Sequence, residues 1–338
     1  MKEPDQRRFP FSPFPIGWYW VEFSENVKKG QLQSKTWLGQ RTVYWRDDHG
    51  KVCLANAMCP HLGANLSPSF GGKLEEGLLV CPFHGLRYNT TGQCVHSPVG
   101  ELSRPVSLKT FPVCETGGVI FAYWHPEGLE PEWSVPDLDD GDWSRFVYSA
   151  REIRTHPQET SENGVDITHL PYVHGYSNVE SLEPLHIDGH YLRNRFRLTR
   201  LVGPSKHLCM KLDVHATVSM WGVGYSMIEP VMQDAGLYIR QLALCTPIDG
   251  EKVNFVMAMQ MNDVERPNVL MPGLGLMPKR LLNALLLKIF FKVYVQDISQ
   301  DFDIWENKQY LIYPRLDASE SSIIHFRRYC EQFYTSVE

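Results

Sequence analysis

The sequence predicts an α+β protein with an all-β N-terminal domain and a second domain in which an antiparallel sheet grips helices. Short segments rich in Trp, Tyr and Val fill the first third of the chain. Long period-two runs follow in the second half, and a helical stretch lies on either side of them. At 338 residues the chain is too long for one small core, which favours two domains.

The N-terminal domain is predicted to be a small β-barrel. Short β segments run from Gly17 to Ala57, with a hairpin turn at Asp47-Asp48-His49-Gly50. A second hairpin turn is predicted at Asn89-Thr90-Thr91-Gly92, and a last strand at Gly118–Trp124.

A change in composition marks the end of this domain. Pro131, Pro136 and a run of acidic residues follow the last predicted strand. We therefore expect the first domain to cover residues 16–130 and the second to cover residues 131–338.

The second domain is predicted to contain one antiparallel sheet with a polar and an apolar face. Helices are expected at Pro157–Asp166 and Leu281–Tyr310. The alternating runs that predict the strands are His190–Leu201, His207–Met220, Gly222–Glu229, Leu237–Cys245 and Lys252–Met261.

Composition limits the function classes. The net charge is −6 and no long basic run is present, which excludes DNA and RNA as expected partners.

The eight cysteines show no disulfide-like spacing, as in proteins of a reducing compartment. The segment up to Pro15 lacks the continuous apolar stretch of a secretory signal, so a cytoplasmic location is expected.

The apolar stretch Val269–Val295 is not expected to cross a membrane, because four cations interrupt it. These cations are Lys279, Arg280, Lys288 and Lys292. Buried core is the simpler interpretation, and a substrate-access segment with weak contact to a membrane surface is the alternative. The apolar face of such a segment would consist of Leu281, Leu282, Leu285, Leu286, Ile289 and Phe290.

Two short turns carry the first predicted metal site. Cys59-Pro60-His61 and Cys81-Pro82-Phe83-His84 each offer one thiolate and one imidazole. This is the ligand set of a [2Fe–2S] cluster in which two His replace two Cys on one iron. Cys59 and Cys81 would hold one iron, and His61 and His84 the other. A Cys2His2 zinc site uses the same atoms, but zinc fingers usually group two Cys in one knuckle and two His on a following helix.

A second metal site is predicted at His169 and His174, with Pro171 bending the chain between them. Two His and one carboxylate hold the non-haem Fe(II) of enzymes that activate O2. The carboxylate is expected far downstream, where Asp301 and Asp303 are both candidates.

These motifs together identify a family resemblance. Cys-Pro-His-Leu-Gly from Cys59 and Cys-Pro-Phe-His-Gly from Cys81 resemble the two boxes of Rieske proteins. The segment Asn163–His174 resembles the Asn-x-x-Asp-x-x-His-x-x-x-x-His motif of Rieske oxygenases. The resemblance extends from Gly17 to Trp305 and is closest to the 3-ketosteroid 9α-hydroxylase and cholesterol C7-desaturase-like subgroup. The connection between Leu62 and Val80 is slightly longer than is usual in the family.

The resemblance implies a Rieske [2Fe–2S] domain followed by a helix-grip catalytic domain. It also implies a terminal oxygenase that uses O2 and electrons relayed through the cluster to hydroxylate a C–H bond. The chain has no Gly-x-Gly-x-x-Gly motif, so NAD(P)H and flavin are expected to act only through a separate reductase. The expected electron donor is a ferredoxin, a flavin-dependent reductase, or both.

The resemblance assigns roles to individual residues of the second site. His169 and His174 match the iron ligands, and Asn163 matches the first residue of the motif. The iron carboxylate of the family precedes an Ile-Trp-like pair by three residues, which selects Asp301 and leaves Asp303 as the runner-up.

Asp166 matches the bridging acid of the family. It precedes His169 by three residues, so on a helix its carboxylate could accept an N–H from that imidazole. The resemblance further implies that it meets His84 of the partner subunit. Such a head-to-tail contact has to close into a ring, and the resemblance implies that this ring is a homotrimer.

The predicted substrate is a large, apolar, polycyclic and steroid-like molecule. Phe255, Met257, Met259 and Met261 share one face of a predicted strand and are expected to line its pocket. One alternative is O- or N-demethylation of an aromatic or alkaloid substrate by the same iron chemistry. Another is an electron-transfer Rieske protein whose second domain is vestigial.

Overall fold

The computed structural model describes residues 8–102, 104–139, 141–205 and 208–334. It divides into two compact units. The first consists of Ile16–Asp139 with Thr246–Gly250, and the second of Asp140–Cys245 and Glu251–Glu338 with the segment that ends at Pro15. The division falls at Asp139, whereas the sequence places the boundary at residue 130.

The first unit is built from antiparallel strands in three sheets. Their orders are β1-β11-β10, β2-β3-β4-β9 and β5-β6-β7-β8. Short 3-10 turns lie at Ser24–Asn26 and Pro68–Phe70. The strands are β1 (Gly17–Phe23), β2 (Gln33–Trp37), β3 (Gln40–Arg46), β4 (Val52–Asn56), β5 (Lys73–Glu75), β6 (Leu78–Val80), β7 (Arg87–Tyr88), β8 (Cys94–His96), β9 (Thr110–Phe111), β10 (Val113–Thr116) and β11 (Val119–Trp124).

The hairpin between β3 and β4 forms at the predicted turn. The Asp47 side chain accepts hydrogen bonds from the backbone N–H groups of His49 (3.0 Å) and Lys51 (2.8 Å). Gly50 has φ +90°, a conformation that a residue with a Cβ rarely adopts. The Asp and the Gly therefore fix the turn together.

The core of the first unit continues beneath the two ligand turns. Trp45 and Tyr88 are fully buried, and they belong to the same apolar cluster as Cys59 and Cys81. The two cysteines are thus held by packed core.

The second unit is a large antiparallel sheet with helices. The predicted α+β class is confirmed. Short 3-10 turns lie at Gln233–Ala235, Leu274–Leu276 and Ala318–Glu320. The strands are β12 (Val147–Ile153), β13 (Ser177–Ser181), β14 (His186–Asp188), β15 (Tyr191–Ser205), β16 (Leu208–Trp221), β17 (Tyr225–Met232), β18 (Leu237–Pro247) and β19 (Val253–Met261), and the helices are α1 (Pro157–Glu162), α2 (Leu170–Val173), α3 (Pro267–Leu270), α4 (Lys279–Asn307) and α5 (Ser321–Glu331).

The sheet order is β12-β19-β18-β17-β16-β15-β13, with β14 paired to β15. The five predicted runs correspond to β15 through β19. His207, where one run was expected to begin, lies outside the described residues. The register pairs Val218 with Ile228 and Ile228 with Gln241, so alternate side chains of neighbouring strands share a face.

Helix α4 packs one face into the unit. Its buried residues recur at helical spacing and include Leu282, Leu286, Phe290 and Tyr294. The Tyr294 hydroxyl donates to the Leu242 carbonyl at 3.1 Å, which ties the helix to β18. Within the described ranges, no helix combines the length and apolar character needed to span a bilayer.

Candidate metal centres

The first centre lies in two turns with the same backbone design. In the turn between β4 and β5, Cys59 N–H donates to the Ala64 carbonyl and Gly63 N–H donates to the Cys59 carbonyl, both at 2.8 Å. The corresponding two bonds, at 2.9 and 3.0 Å, close the turn that begins at Cys81. Gly63 and Gly85 have φ +74° and +69°. The glycine of each box is therefore required by the turn.

The four predicted ligands converge in these turns. Cys59 and Cys81 are buried, and the rings of His61 and His84 are 5.0 Å apart. The Nδ1 atoms of both His are buried and have no hydrogen-bond partner among the described residues. A buried polar atom left unpaired is unfavourable, so these nitrogens require a partner that the protein does not supply. An iron–sulfur cluster fits this need.

The spacing disfavours a single zinc ion at the first centre. Zinc would draw all four ligand atoms close around one point. Among the described residues, the one group of three or more such ligand atoms within 4.8 Å of one another lies at the second centre. The ligand atoms of the first centre are spaced more widely than this, which agrees better with two irons that each bind one pair of ligands.

Hydrogen-bond donors surround the two sulfur atoms. The Tyr88 hydroxyl lies 3.1 Å from Cys59 Sγ, and burial raises the pKa of this phenol, so it remains a donor. Burial also raises the pKa of the Cys81 thiol, and the backbone N–H groups of Phe83 and His84 oppose that shift. Donors of this kind stabilise a thiolate ligand.

The second centre brings together His169, His174 and Asp301, whose ligand atoms lie within 4.8 Å of one another. The His174 Nε2 atom is 3.5 Å from Asp301 Oδ2. The two imidazole rings are 5.2 Å apart and inclined at 76°. Two imidazoles and one carboxylate at this spacing could hold one iron.

Helix α2 positions the two imidazoles. His169 immediately precedes this helix, and His174 immediately follows it. The sequence predicts a bend at Pro171, but Pro171 lies in the first turn of α2 and does not interrupt that helix. A proline is tolerated there since the first-turn N–H groups have no intrahelical acceptor. One short turn of helix thus separates the two His.

Each imidazole is oriented through its Nδ1 atom. The Gln300 amide oxygen lies 2.9 Å from His174 Nδ1, and the Asp166 main-chain carbonyl contacts His169 Nδ1. With Nδ1 engaged by these acceptors, Nε2 is the atom of each ring that could bind a metal. Burial lowers the pKa of His169, which favours the neutral form that a metal binds. This role of Gln300 was not predicted from the sequence, where its one indication is its position next to Asp301.

Asp166 differs from its expected arrangement. Helix α1 ends at Glu162, so Asp166 lies beyond the helix. Its Oδ1 accepts from the Thr168 backbone N–H at 3.0 Å and from the Thr168 hydroxyl at 2.6 Å. Its Oδ2 is 3.8 Å from His169 Nδ1, which is too long for a hydrogen bond. The main chain of Asp166 therefore orients the imidazole, because the carboxylate is engaged by Thr168.

The environment of Asp301 favours a nearby cation. This side chain is 2% exposed, and burial raises its pKa to about 6, although His174 and a hydrogen bond with Asn163 act in the opposite direction. The Asn163 amide oxygen also accepts from Trp305 Nε1 at 3.3 Å. A bound metal ion would compensate the unfavourable burial of the carboxylate.

Asp303, the runner-up, is exposed. Residues two apart on a helix point about 200° apart, so only one of the two carboxylates can face the histidines. The packing of α4 gives that position to Asp301.

A second carboxylate on α4 is neutralised by its neighbours. Asp297 lies one turn before Asp301, and both its oxygens contact the Arg200 guanidinium. The Tyr176 hydroxyl donates to Asp297 at 2.8 Å, and the Tyr176 ring lies 5.4 Å from the His174 ring. This ion pair was not predicted from the sequence, where its one indication is that Asp297 and Asp301 are four residues apart. Because Arg200 and Tyr176 engage Asp297, Asp301 is the carboxylate of α4 that faces the imidazoles.

A largely apolar cavity of about 210 Å³ adjoins the second centre. His169, His174 and Asp301 form part of its wall. Its sheet side consists of alternate residues of β15 to β18, and its other side is helix α4. The apolar side chains of the sheet wall include Phe196, Leu198, Val214, Ala216, Val218, Met220, Ile228, Met232 and Ile239.

The predicted pocket residues are placed differently. Phe255 lines the cavity and packs against Trp305, with ring centroids 5.4 Å apart. Met257, Met259 and Met261 are buried and are not part of the cavity wall. Alternation does not identify which strand faces the cavity; the cavity lies over β15 to β18, and Phe255 is the residue of β19 that lines it.

Two polar side chains face this apolar cavity without a partner. Ser226 and Gln241 line it on β17 and β18, and neither side chain makes a hydrogen bond with the described residues. Polar groups of this kind usually orient a ligand in an otherwise apolar pocket.

Two family models match the chain. Residues 17–112 match the Rieske [2Fe-2S] domain, and residues 122–334 match the 3-Ketosteroid 9alpha-hydroxylase C-terminal domain. Together the two matches contain every ligand predicted for both centres.

Curated relatives align over nearly the full chain. Cholesterol 7-desaturase of Xenopus laevis is 29% identical over 96% of this chain and 72% of its own length. Cholesterol 7-desaturase of Caenorhabditis elegans is 28% identical, over 95% and 77%. The oxygenase component of 3-ketosteroid-9-alpha-monooxygenase from Rhodococcus rhodochrous is 25% identical, over 96% and 84%.

Solved structures share the fold. Dicamba monooxygenase bound to dicamba superimposes with a TM-score of 0.67 at 19% identity, over 94% of this chain and 96% of that chain. NdmA of Pseudomonas putida CBB5 with caffeine gives 0.64 at 14% identity, over 93% and 89%. At these identities the likeness concerns the fold alone.

The two candidate carboxylates can be separated by mutation. We expect Asp301→Ala to abolish binding of the mononuclear iron, because it removes the one carboxylate that faces both imidazoles. The absorption spectrum of the Rieske cluster should be unchanged. Iron content per chain and visible absorption measure the two centres independently.

Asp303→Ala is the matched control, since it makes the same change two residues away on the exposed face of α4. It should retain both metals. If Asp303→Ala lost the mononuclear iron while Asp301→Ala kept it, the assignment would be reversed.

Proposed function

We propose that this chain, which belongs to the Rieske oxygenases with a 3-ketosteroid 9alpha-hydroxylase C-terminal domain, hydroxylates a C–H bond of a large, apolar, steroid-like substrate. The observation that carries this proposal is the apolar cavity whose wall includes His169, His174 and Asp301. The three side chains can present a reactive metal directly to an apolar ligand.

The chain is an oxidoreductase that depends on a Rieske cluster, a mononuclear iron and O2. When bound, the cluster supplies electrons and the iron supplies O2 activation. The residues proposed to hold the two groups are Cys59 and Cys81, His61 and His84 for the cluster, and His169, His174 and Asp301 for the mononuclear iron.

The remaining side chains of the centre position these ligands and keep water out. Gln300 and the Asp166 carbonyl fix the two imidazole rings. A hydrogen bond with Asn163 holds the Asp301 carboxylate, and Trp305 Nε1 in turn donates to the Asn163 amide oxygen. The apolar walls of the cavity exclude solvent from the substrate and leave one face of the centre open to it.

The names of the relatives support a sterol-like substrate. Cholesterol and a 3-ketosteroid share a rigid apolar ring system that carries an oxygen function. Gln241 and Ser226 are the polar groups of the cavity that could bind such an oxygen. Gln241 lies two strands from Val218, or about 10 Å, and Val218 packs against Gly164 at the metal end. We propose that Gln241 and Ser226 hold the substrate oxygen while the opposite part of the ring system faces the iron.

Two alternative functions have less support than hydroxylation. Demethylation of an aromatic ether or an alkaloid would use the same iron ligands, and the described cavity offers no polar feature specific to it. A pure electron-transfer protein would not need His169, His174 and Asp301 within 4.8 Å of one another.

The function is tested by turnover of the holoenzyme. The enzyme is incubated with a ferredoxin, a flavin-dependent reductase, NAD(P)H and isotopically labelled O2 against steroids, aromatic ethers and N-methyl alkaloids. A steroid that gains one labelled oxygen atom supports the proposal. Loss of two hydrogens without oxygen would show desaturation instead, and loss of a methyl group from an ether or amine would show demethylation.

Gln241 is predicted to select substrates that carry an oxygen. Gln241→Leu should weaken binding of a hydroxylated or keto steroid about tenfold or more, because the oxygen then loses its partner in an apolar site. Binding of the matching deoxy steroid should not weaken. Equilibrium binding to the holoenzyme without reductant gives both constants.

Ile239→Ala, on the same cavity wall, is the control and should weaken both steroids to a similar extent. An equal loss for both steroids in Gln241→Leu would show that the amide only fills space.

The partner surface is proposed around the histidines of the first centre. Met58, Leu62 and Phe83 flank these ligands and are exposed. We propose that this apolar rim is covered by the Asp166 region of the partner subunit in a homotrimer, and that a separate ferredoxin or reductase supplies electrons. One relative is itself named an oxygenase component, which supports a separate donor.

Asp166 is predicted to connect the centres of neighbouring subunits. Asp166→Asn should keep both metals and the trimer, yet slow oxidation of the reduced cluster at least about tenfold in a single turnover with substrate and O2. Stopped-flow absorption follows the cluster, and light scattering gives the mass.

Asp303→Asn makes the same chemical change on an exposed site and should react at the parent rate. A parent-like rate for Asp166→Asn would remove the bridging role, and a fully active monomer would remove the trimer.

A further inference from the structure

The outward face of helix α4 carries an unusual combination of side chains. Leu281 and Leu285 are 59% and 41% exposed. Lys288 and Lys292 continue the same face toward the C-terminus, because the spacing of four, three and four residues follows the helical repeat. The face is therefore apolar in its first turns and basic in the next ones.

The loop before α4 extends the apolar part. Leu276 is 91% exposed in a short turn just upstream of the helix, and Val269 is 55% exposed. Apolar side chains with this degree of exposure mark a surface that another molecule covers.

The charge of this region differs from that of the whole chain. No acidic residue occurs between residues 266 and 292, while the net charge of the chain is −6. Lys279 pairs with Asp263 at 3.1 Å. Arg280, Lys288 and Lys292 form no ion pair with the residues that the structure describes.

The structure also corrects the expected apolar face of this segment. Leu282, Leu286 and Phe290 are buried, and Phe290 lines the cavity. Of the four leucines expected on that face, Leu281 and Leu285 are the two that are exposed. Helix α4 therefore lies between the substrate cavity on one side and an exposed basic and apolar surface on the other.

We propose that this surface, called the α4 patch and formed by Val269, Leu276, Leu281, Leu285, Arg280, Lys288 and Lys292, docks on an anionic membrane. Apolar side chains bordered by Lys and Arg are the pattern of a helix that lies in a bilayer interface. The cations complement anionic lipid headgroups, and the leucines insert among them. A sterol-like substrate would then pass from the bilayer to the cavity behind the same helix. The passage rests on the proposed function, whereas the docking itself does not.

Vesicle sedimentation of the full-length holoenzyme tests the docking. We expect binding to phosphatidylcholine vesicles that contain phosphatidylserine and much weaker binding to phosphatidylcholine alone. Added salt should weaken the binding, because it screens the headgroup charge. The assay contains no substrate, O2 or reductase, so a failure of the proposed oxygenase activity would leave its result unchanged.

The triple variant Arg280→Gln, Lys288→Gln and Lys292→Gln should weaken vesicle binding about 100-fold, at about fivefold for each cation. The matched control replaces three exposed cations elsewhere in the unit, Lys211→Gln, Arg315→Gln and Arg328→Gln. It lowers the net charge equally and should change binding less than about twofold.

The triple variant Leu276→Ser, Leu281→Ser and Leu285→Ser should weaken binding about tenfold or more, because the inserted apolar area is lost. Its control, Leu311→Ser, Ile312→Ser and Tyr313→Ser, removes three other exposed apolar side chains and should bind like the parent. Thermal melting confirms that each variant is folded.

Three results would overturn the proposal. The first is a parent chain that does not bind the phosphatidylserine vesicles. The second is a patch variant that binds like its control. The third is a change in oligomeric mass for the leucine variant in light scattering, which would show that the α4 patch joins copies of this chain.

Discussion

The second unit depends on one buried carboxylate. Asp301 is placed on the inward face of α4, where burial raises its pKa to about 6. A carboxylate in that position is unfavourable unless a cation or donors compensate it. Two imidazoles, the Asn163 amide and the open cavity meet at this side chain. The short helix α2 and the ion pair at Asp297 lie beside this acid, and among the described residues Asp301 is the carboxylate whose ligand atom groups with those of both imidazoles.

Helix α4 combines tasks that are usually divided among several elements. Its buried face packs on the sheet, supplies Asp301 and Gln300, and forms one wall of the cavity. Its outward face is basic and apolar. A helix can serve both sides because positions three and four apart share a face while intervening positions point away. The same chain segment thus positions Asp301, the proposed metal ligand, and presents a surface to the exterior.

The first centre depends on turn geometry and core packing. Two turns with the same pair of backbone hydrogen bonds each place one buried sulfur beside one half-exposed imidazole. Glycines with positive φ allow both turns to close. The Nδ1 atoms of the histidines, buried and unpaired within the described residues, are the clearest sign that a group outside the polypeptide completes the site.

The sequence by itself determined what depends on local chemistry. Period-two alternation predicted β15 to β19, the Asp-Asp-His-Gly segment predicted the turn at Asp47, and the Cys and His residues of the two boxes predicted the ligands of the first centre. At the second centre the residues alone suggested His169 and His174, and the family resemblance supplied the choice of Asp301. The tertiary structure decided what depends on direction. Alternation cannot say which strand faces the cavity, so Met257, Met259 and Met261 were misplaced. Closeness in sequence does not determine whether the side chain or the main-chain carbonyl of a residue contacts an imidazole. The carboxylate of Asp166 was therefore predicted to accept from His169, whereas its main-chain carbonyl makes that contact. The resemblance already favoured Asp301 over Asp303, and the packing of α4 adds the physical reason, because on a helix only one of two residues spaced by two can point inward.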